Sequence, residues 1–154
     1  MSNTRDVMVG VAQLLAAANV GTFRPSGVYS TGETGIIFKI MPDGTNVPDR
    51  VIVLNAFILT ADVSIPFDRY LLQVALRGVR NNPLDVDDLG DAVFDVLHGA
   101  TYKPFGSAVA AQILFSTSVP MGEDALTRSI RADRYFVDLD AGSTALRPTG
   151  GSWT

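Results

Sequence analysis

The sequence predicts an α/β protein of the α+β kind, in which a single small mixed, mainly antiparallel sheet of about five strands carries two main helices. Two observations predict this class. Apolar residues recur at helical spacing in one segment at the start and one near the middle of the chain, and they alternate at strand spacing in most other segments. The 154 residues suit one domain, placed at residues 1–140, with a flexible tail at 141–154 rich in Gly, Ser, Thr and Pro.

The first helix is predicted to start at Asn3 or Thr4, either of which can cap it, and to stop before Gly21. Asp6 suits the positive end of its first turn. The apolar face of this helix comprises Val7, Val11, Leu14, Leu15 and Ala18. Residues 22–34 have the composition of a loop or arm, because Pro and Gly stand there among Ser and Thr.

Two strands are predicted next. The first spans Gly35 to Met41 and is followed by a turn signal that starts at Pro42, so a long hairpin is the simplest arrangement. The second spans Val51 to Leu59 and is apolar on both alternations except at Asn55. It should therefore be central and covered on both faces, by the helices or by another subunit.

The run from Leu71 to Val79 predicts a half-buried strand, because Leu alternates there with polar residues that include Gln73 and Arg77. Gly78, at its end, indicates a bulge or a close approach of two backbones. The second helix follows, with Asn82 as its N-cap, Pro83 in its first position and Gly99 beyond its end.

This second helix is strongly amphipathic. Leu89, Val93 and Leu97 form the face that is predicted to pack on the sheet. The opposite face is acidic, and we predict that it stays exposed or repels DNA through Asp88, Asp91 and Asp95.

Two further strands end the domain. The first spans Val109 to Val119 and is followed by a predicted connection at Ser118 to Asp124. The last runs from Arg128 to Leu139 and mixes apolar with charged residues, which predicts an edge or interface-facing strand.

No pattern for catalysis or ligand binding emerges, so we predict no catalytic, cofactor-binding or metal-binding residue and no enzyme activity. The absence of Cys excludes disulfides and thiolate sites. The Asp85-to-Gly90 run fails as a calcium loop, because Leu89 occupies a ligand position and Val96 the position of the closing Glu. The single histidine, His98, lacks a nucleophile elbow elsewhere in the chain and is expected to cap helix carbonyls.

Charge and hydropathy exclude two classes of partner. A net charge of −4 and a pI near 4.7 argue against a protein that wraps nucleic acid. No run approaches the roughly 20 apolar residues of a membrane span, and the N-terminus lacks the pattern of a signal peptide. We therefore expect synthesis in a cytoplasm and no membrane partner.

The order of motifs in the second half resembles one family, the tail-terminator (tail-completion, minor capsid) proteins of long-tailed bacteriophages. The resemblance lies in the strand end Arg77-Gly78, the helix end Leu97-His98-Gly99, the turn Pro120-Met121-Gly122 and the strand Arg134 to Val137. It implies a structural virion protein, made in the host cytoplasm, that caps the tail tube as a hexameric ring at the head-proximal end. The implied partners are the tail tube protein and the head-connector or neck protein, with DNA passing through without sequence-specific binding.

A ring needs two different patches on each subunit. We predict that one includes the last strand, where Arg131 and Arg134 make charge-assisted contacts to a neighbour. The full set of candidate interface residues is Gln73, Arg77, Arg128, Arg131, Asp133 and Arg134. The alternatives are a head-completion or neck protein of the phage connector and a small hydrolase or ligand-binding domain with acids converging in a pocket.

Overall fold

The computed structural model describes residues 3–142. These residues form one seven-stranded sheet and two helices, with strand order β1-β2-β3-β4-β7-β6-β5. The elements are α1 (Asn3–Ala17), β1 (Thr22–Phe23), β2 (Gly35–Phe38), β3 (Val51–Ala61), β4 (Phe67–Arg80), α2 (Asp85–Leu97), β5 (Thr101–Phe105), β6 (Ala108–Glu123) and β7 (Arg128–Asp140). The sheet is mixed and mainly antiparallel, as predicted. The two strands beyond the predicted five are the short edge strands β1 and β5.

The predicted hairpin between β2 and β3 is wrong, because these strands pair in parallel, as do β1 and β2. Lys39 has a φ of 72° and turns the chain out of the sheet after Phe38. The chain then crosses over in residues 39–50 and enters β3 from the end at which β2 began. Two strands joined this way need a crossover and not a tight turn.

A buried arginine pair holds this crossover in place. Arg77 is 1% exposed and donates to the backbone carbonyls of Pro42, Pro48 and Asp49 at 2.5, 2.7 and 2.8 Å. Arg128 is fully buried and donates to the Asp124 carboxylate at 2.8 Å. Burial, and then repulsion from Arg128, lowers the pKa of Arg77. The carbonyls and surrounding aspartates therefore stabilise two cations that face each other inside the protein.

Both helices pack on the same face of the sheet. α1 lies on β3 and β5, and α2 lies on β4 and β7. The predicted face of α2 is confirmed, since Leu89, Val93 and Leu97 have no exposed surface. On α1, Val7, Val11 and Leu15 are fully buried and Leu14 is partly buried, but the prediction is wrong for Ala18, which lies beyond the end of the helix and is exposed. The core lies between the helices and this one sheet face.

The start of α2 differs from the prediction. The N-cap position is Leu84, which makes no side-chain capping bond, and the helix runs from Asp85. The Asp85 carboxylate instead accepts bonds from the Val79 amide at 2.9 Å and from Arg50 at 3.1 Å. The backbone of β4 comes so close here that a Cβ on Gly78 would lie 2.7 Å from the Val86 nitrogen. The close approach predicted at Gly78 is confirmed.

The last two strands also differ from the prediction. β6 continues to Glu123 through the segment predicted as a connection, because it remains paired with β7 as far as Glu123, whereas β5 pairs with it only as far as Gln112. Beyond that point β6 is an edge, where a proline such as Pro120 is tolerated. The prediction of an edge strand at β7 is wrong, since β7 lies in the interior of the sheet between β4 and β6. Four of its charged residues, Arg128, Arg131, Asp133 and Asp138, form ion pairs within the protomer, whereas Arg134 is exposed.

The end of the described chain still belongs to the domain. Ala141 is 9% exposed and donates its amide to the Pro66 carbonyl at 2.8 Å. The remainder of the predicted tail, residues 143–154, lies outside the described residues.

Replacing Arg77 with Met should destabilise the protein strongly. The change leaves three buried carbonyls unpaired and removes one cation from a network of carboxylates, for which we expect a loss of about 3 kcal/mol or more. Arg80→Met, in the same strand but 41% exposed in its pair with Asp49, should destabilise the protein much less, because an exposed ion pair contributes little. Urea unfolding monitored by circular dichroism measures the stability of both variants. Equal losses of stability would contradict the role of Arg77 in holding the crossover.

Acid should weaken the fold through Asp49. Hydrogen bonds from Arg80 lower the pKa of Asp49 from 3.8 to about 2. An unfolded chain takes up this proton at higher pH than the folded one, so the stabilisation is complete above the unfolded value and is lost as the pH falls toward about 2. The free energy of unfolding of Asp49→Asn should therefore fall less steeply over this range than that of the unmodified protein. Asp95→Asn, an exposed carboxylate on α2, is the control and should leave the slope unchanged.

Candidate functional site

The sheet face opposite the helices is the most extensive candidate surface of the domain. Neither helix packs on it, and its side chains come from the four long strands β3, β4, β7 and β6. Antiparallel sheets with one solvated face usually carry polar residues there. Here the face is banded, and the bands follow the register of the strands.

The bands are rows of residues paired across neighbouring strands. One apolar row consists of Phe57, Leu71, Phe136 and Leu114. The next row is polar and consists of Asn55, Gln73, Arg134 and Thr117. A second apolar row follows, formed by Ala75, Ala132 and Val119. We call these three rows together the banded face.

The polar row contains the free charge of this face. Arg134 is exposed, and its side chain makes no hydrogen bond or ion pair with any other residue among 3–142. Gln73 lies beside it on β4 and is half-buried. These two are the sequence-predicted interface residues that the fold places on an open surface.

The remaining predicted interface residues lie elsewhere. Arg77, Arg128 and Asp133 are buried inside the protomer. Arg131 lies on the helix-covered side, where it contacts Asp133 at 2.8 Å, Asp87 at 3.2 Å and Asp91 at 3.5 Å. The hydrogen bonds that Arg131 donates to Asp133 raise the pKa of Arg131. Its guanidinium is thus occupied by carboxylates of its own chain, so the interface prediction now depends on Arg134 and Gln73.

A fixed ion pair borders the banded face. Arg69 binds Asp138 with two bonds of 2.7 and 3.0 Å, and Gln112 donates to the same carboxylate at 2.8 Å. These bonds, those from Arg69 first, lower the pKa of Asp138. The Arg69 guanidinium also lies 4.7 Å from the centre of the Phe136 ring. This cluster holds the neighbouring apolar row in place.

An apolar hairpin tip projects from one end of the same sheet. It is the connection of β3 to β4, and its exposed apolar residues are Phe57, Ile58, Leu59, Val63, Ile65 and Phe67. Val63 is 71% exposed. β2 pairs with β3 only as far as Leu54, so the outer part of β3 also lacks a strand on that side. The prediction that this strand is covered on both faces holds for its first half within the protomer.

Exposed apolar surface of this extent is typical of a binding surface. The largest contiguous patches on monomeric proteins are often functional, and wider ones mark contacts with other proteins or with membranes. In the described part of the chain no helix is long and apolar enough to cross a bilayer.

The acidic face of α2 lies on the other side of the sheet. Asp88, Asp91 and Asp95 are all exposed, as predicted. Among the described residues, Asp88 and Asp95 have no hydrogen bond or ion pair through their side chains. His98, at the end of the helix, accepts the Phe115 amide at its Nδ1 at 3.0 Å and stacks on Phe94, so it does not cap carbonyls as expected.

The pockets of the described domain do not resemble a catalytic centre. One pocket, of about 450 Å³, lies between the start of α2 and the end of β6 and includes Asp87, Glu123 and Arg131. The carboxyl groups whose pKa is lowered lie outside it and are held ionised by hydrogen bonds, as Glu33 is by Ser30 and then Arg24. Among residues 3–142, no group of His, Cys, Asp and Glu could hold a metal ion.

Comparison with known proteins reveals a structural neighbour. No protein-family model matches the chain, and no curated protein matches its sequence. A chain of the solved virion of a native gene transfer agent (GTA) particle has the same fold, with a TM-score of 0.68 at 12% identity. The match covers 91% of this chain and 99% of that chain. The two chains therefore share the whole domain architecture and little sequence.

The two faces of β4 give a direct test of the banded face. Leu71→Thr removes an apolar group from that face and should cost about 1 kcal/mol or less while reducing the binding of a hydrophobic dye. Leu72→Thr, one residue further, acts on the buried face and should cost about 3 kcal/mol while increasing dye binding. Dye fluorescence and urea unfolding measure both. If Leu71→Thr left dye binding unchanged, the face would not be the exposed apolar surface.

Proposed function

We propose that this chain is a structural virion protein that caps the tail tube of a phage-like particle as a hexameric ring. In this role it ends tube polymerisation at the head-proximal end and offers the surface that the head-connector or neck protein joins. The observation that carries the proposal is the fold shared with a virion chain over nearly its full length. The motif order of the sequence and the two open apolar surfaces support it.

The two surfaces suit the two kinds of contact that a ring on a tube makes. A closed ring needs lateral contacts between subunits, for which the banded face offers extended area. A cap also needs an axial contact, for which a projecting element such as the apolar hairpin tip is suited. We assign the hairpin tip to the end that meets the tube.

The net charge of the chain determines how the proposed ring interacts with DNA. The net charge of −4 disfavours binding to a phosphate backbone, so DNA passes through the ring without being held. In this proposal the protein acts by assembly.

To test this proposal, the purified protein is mixed with tail tubes that lack a cap, and the tubes are imaged by electron microscopy. We expect a ring at one tube end and tubes competent to join heads. Binding to purified heads in place of tubes would contradict the proposal and favour the neck-protein alternative. Absence of binding to both would contradict any role at the head-tail joint.

The hairpin tip supplies a second prediction. The triple variant Ile58→Thr, Val63→Ser, Ile65→Thr should bind tube ends at least about tenfold more weakly, because three exposed apolar groups leave the axial contact. The matched control is Val28→Ser with Ile40→Thr, which removes exposed apolar groups from another region. Equal loss of binding in both variants, or in neither, would show that the tip is not the tube contact. Circular dichroism verifies that both variants fold.

A further inference from the structure

We propose that the banded face of one copy binds the acidic face of α2 of a second copy. This contact rests on the proposed function, because it is the lateral contact of the ring. It names the partner of the banded face as the chain itself, and it fixes which two patches meet.

Charge complementarity carries the first step. Arg134 stands in the middle of the banded face, and no residue of the described chain neutralises it. Asp88 and Asp95 project from α2 with no ion pair of their own. If the guanidinium of Arg134 were buried in a contact without a carboxylate, or a carboxylate of α2 without a cation, an unpaired charge would remain in that contact. A helix that crosses the polar row with Asp88 over Arg134 pairs the free cation with a free anion.

The spacing of apolar groups carries the second step. Leu84, at the start of α2, is 68% exposed and lies one turn before Asp88 on the same side of the helix. One turn of four residues rises about 6 Å. Adjacent rows of one sheet face are two residues apart, or about 7 Å. When Asp88 lies over Arg134 and the helix runs along the strands, Leu84 therefore reaches the apolar row beside it.

The positions of the two patches determine the symmetry of the contact. The two patches lie on opposite sides of one sheet, so a contact between them is heterologous and repeats from copy to copy. The competing arrangement, two banded faces packed on each other, places Arg134 of one copy near Arg134 of the next. Like charges brought together across a contact disfavour it. The geometry points to a chain of copies, and the proposed ring requires that the rotation from one copy to the next closes this chain.

Cysteine crosslinking tests the contact, and the chain contains no cysteine of its own. The double variant Thr117→Cys, Ala92→Cys places one thiol beside Arg134 and one on the acidic face, and it keeps every charge. Treatment with a bifunctional maleimide, with and without tail tubes, should give a ladder of covalent oligomers. Each single-cysteine variant should remain monomeric on a denaturing gel. Dimers from Thr117→Cys alone would overturn the proposal in favour of two banded faces in contact, and absence of a ladder in both conditions would also overturn it.

Charge exchange adds a readout that a general loss of folding cannot mimic. Arg134→Glu in the double-cysteine background should reduce the ladder about tenfold. Adding Asp88→Arg to the same chain should restore it, because each contact then holds the reversed pair. Lys103→Glu, which reverses a charge on β5, is the control and should leave the ladder intact. Failure of the exchange to restore the ladder would overturn the pairing of these charges.

The outcomes separate this contact from the proposed function. Tubes that are capped without a ladder would overturn the contact and leave the cap intact. A ladder in a protein that binds no tube would support the contact and contradict the cap.

Discussion

The placement of both helices on one face of the sheet is the constraint on which the rest of this structure depends. The long strands β3, β4, β7 and β6 have two faces, and α1 and α2 cover one of them. The covered face contains the core. The other face presents two apolar rows and one polar row to the surroundings. A protomer built this way is stable by itself and still has surface that favours association.

The buried arginines explain how a charged strand can stand inside a sheet. Arg77 and Arg128 are enclosed by carbonyls and carboxylates of the crossover at residues 39–50 and of the turn after β6. Breaking such a network is costly, because the remaining charges stay buried. The network fixes the parallel pairing of β2 with β3 and keeps the end of the sheet closed. Arg134, six residues from Arg128 on the same face of β7, lies beyond this network and is exposed.

The sequence predicted the elements with strong local signals and missed those set by distant contacts. The amphipathic period of α2 gave its buried face and its acidic face, and Gly78 signalled the close backbone approach. The polar caps at Asn82 and His98 were misassigned, because their surroundings come from β4 and β6. The sequence predicts that the charged residues from Arg128 to Asp138 lie at the surface. No local pattern shows that Arg128 is instead buried against the distant Asp49 and the nearby Asp124. The banded face became visible only with the register of four strands.

The most direct test of the central claim is side-chain footprinting by hydroxyl radicals, applied to the free protein and to assembled particles that contain it. The account predicts that Phe136 and Leu71, on the banded face, react in the free protein and are protected in the particle. Tyr102, which is 79% exposed on β5, serves as the reference for a side chain outside the contact. Phe136 and Leu71 that stayed as reactive in the particle as in the free protein would contradict the claim that the open sheet face is built for assembly.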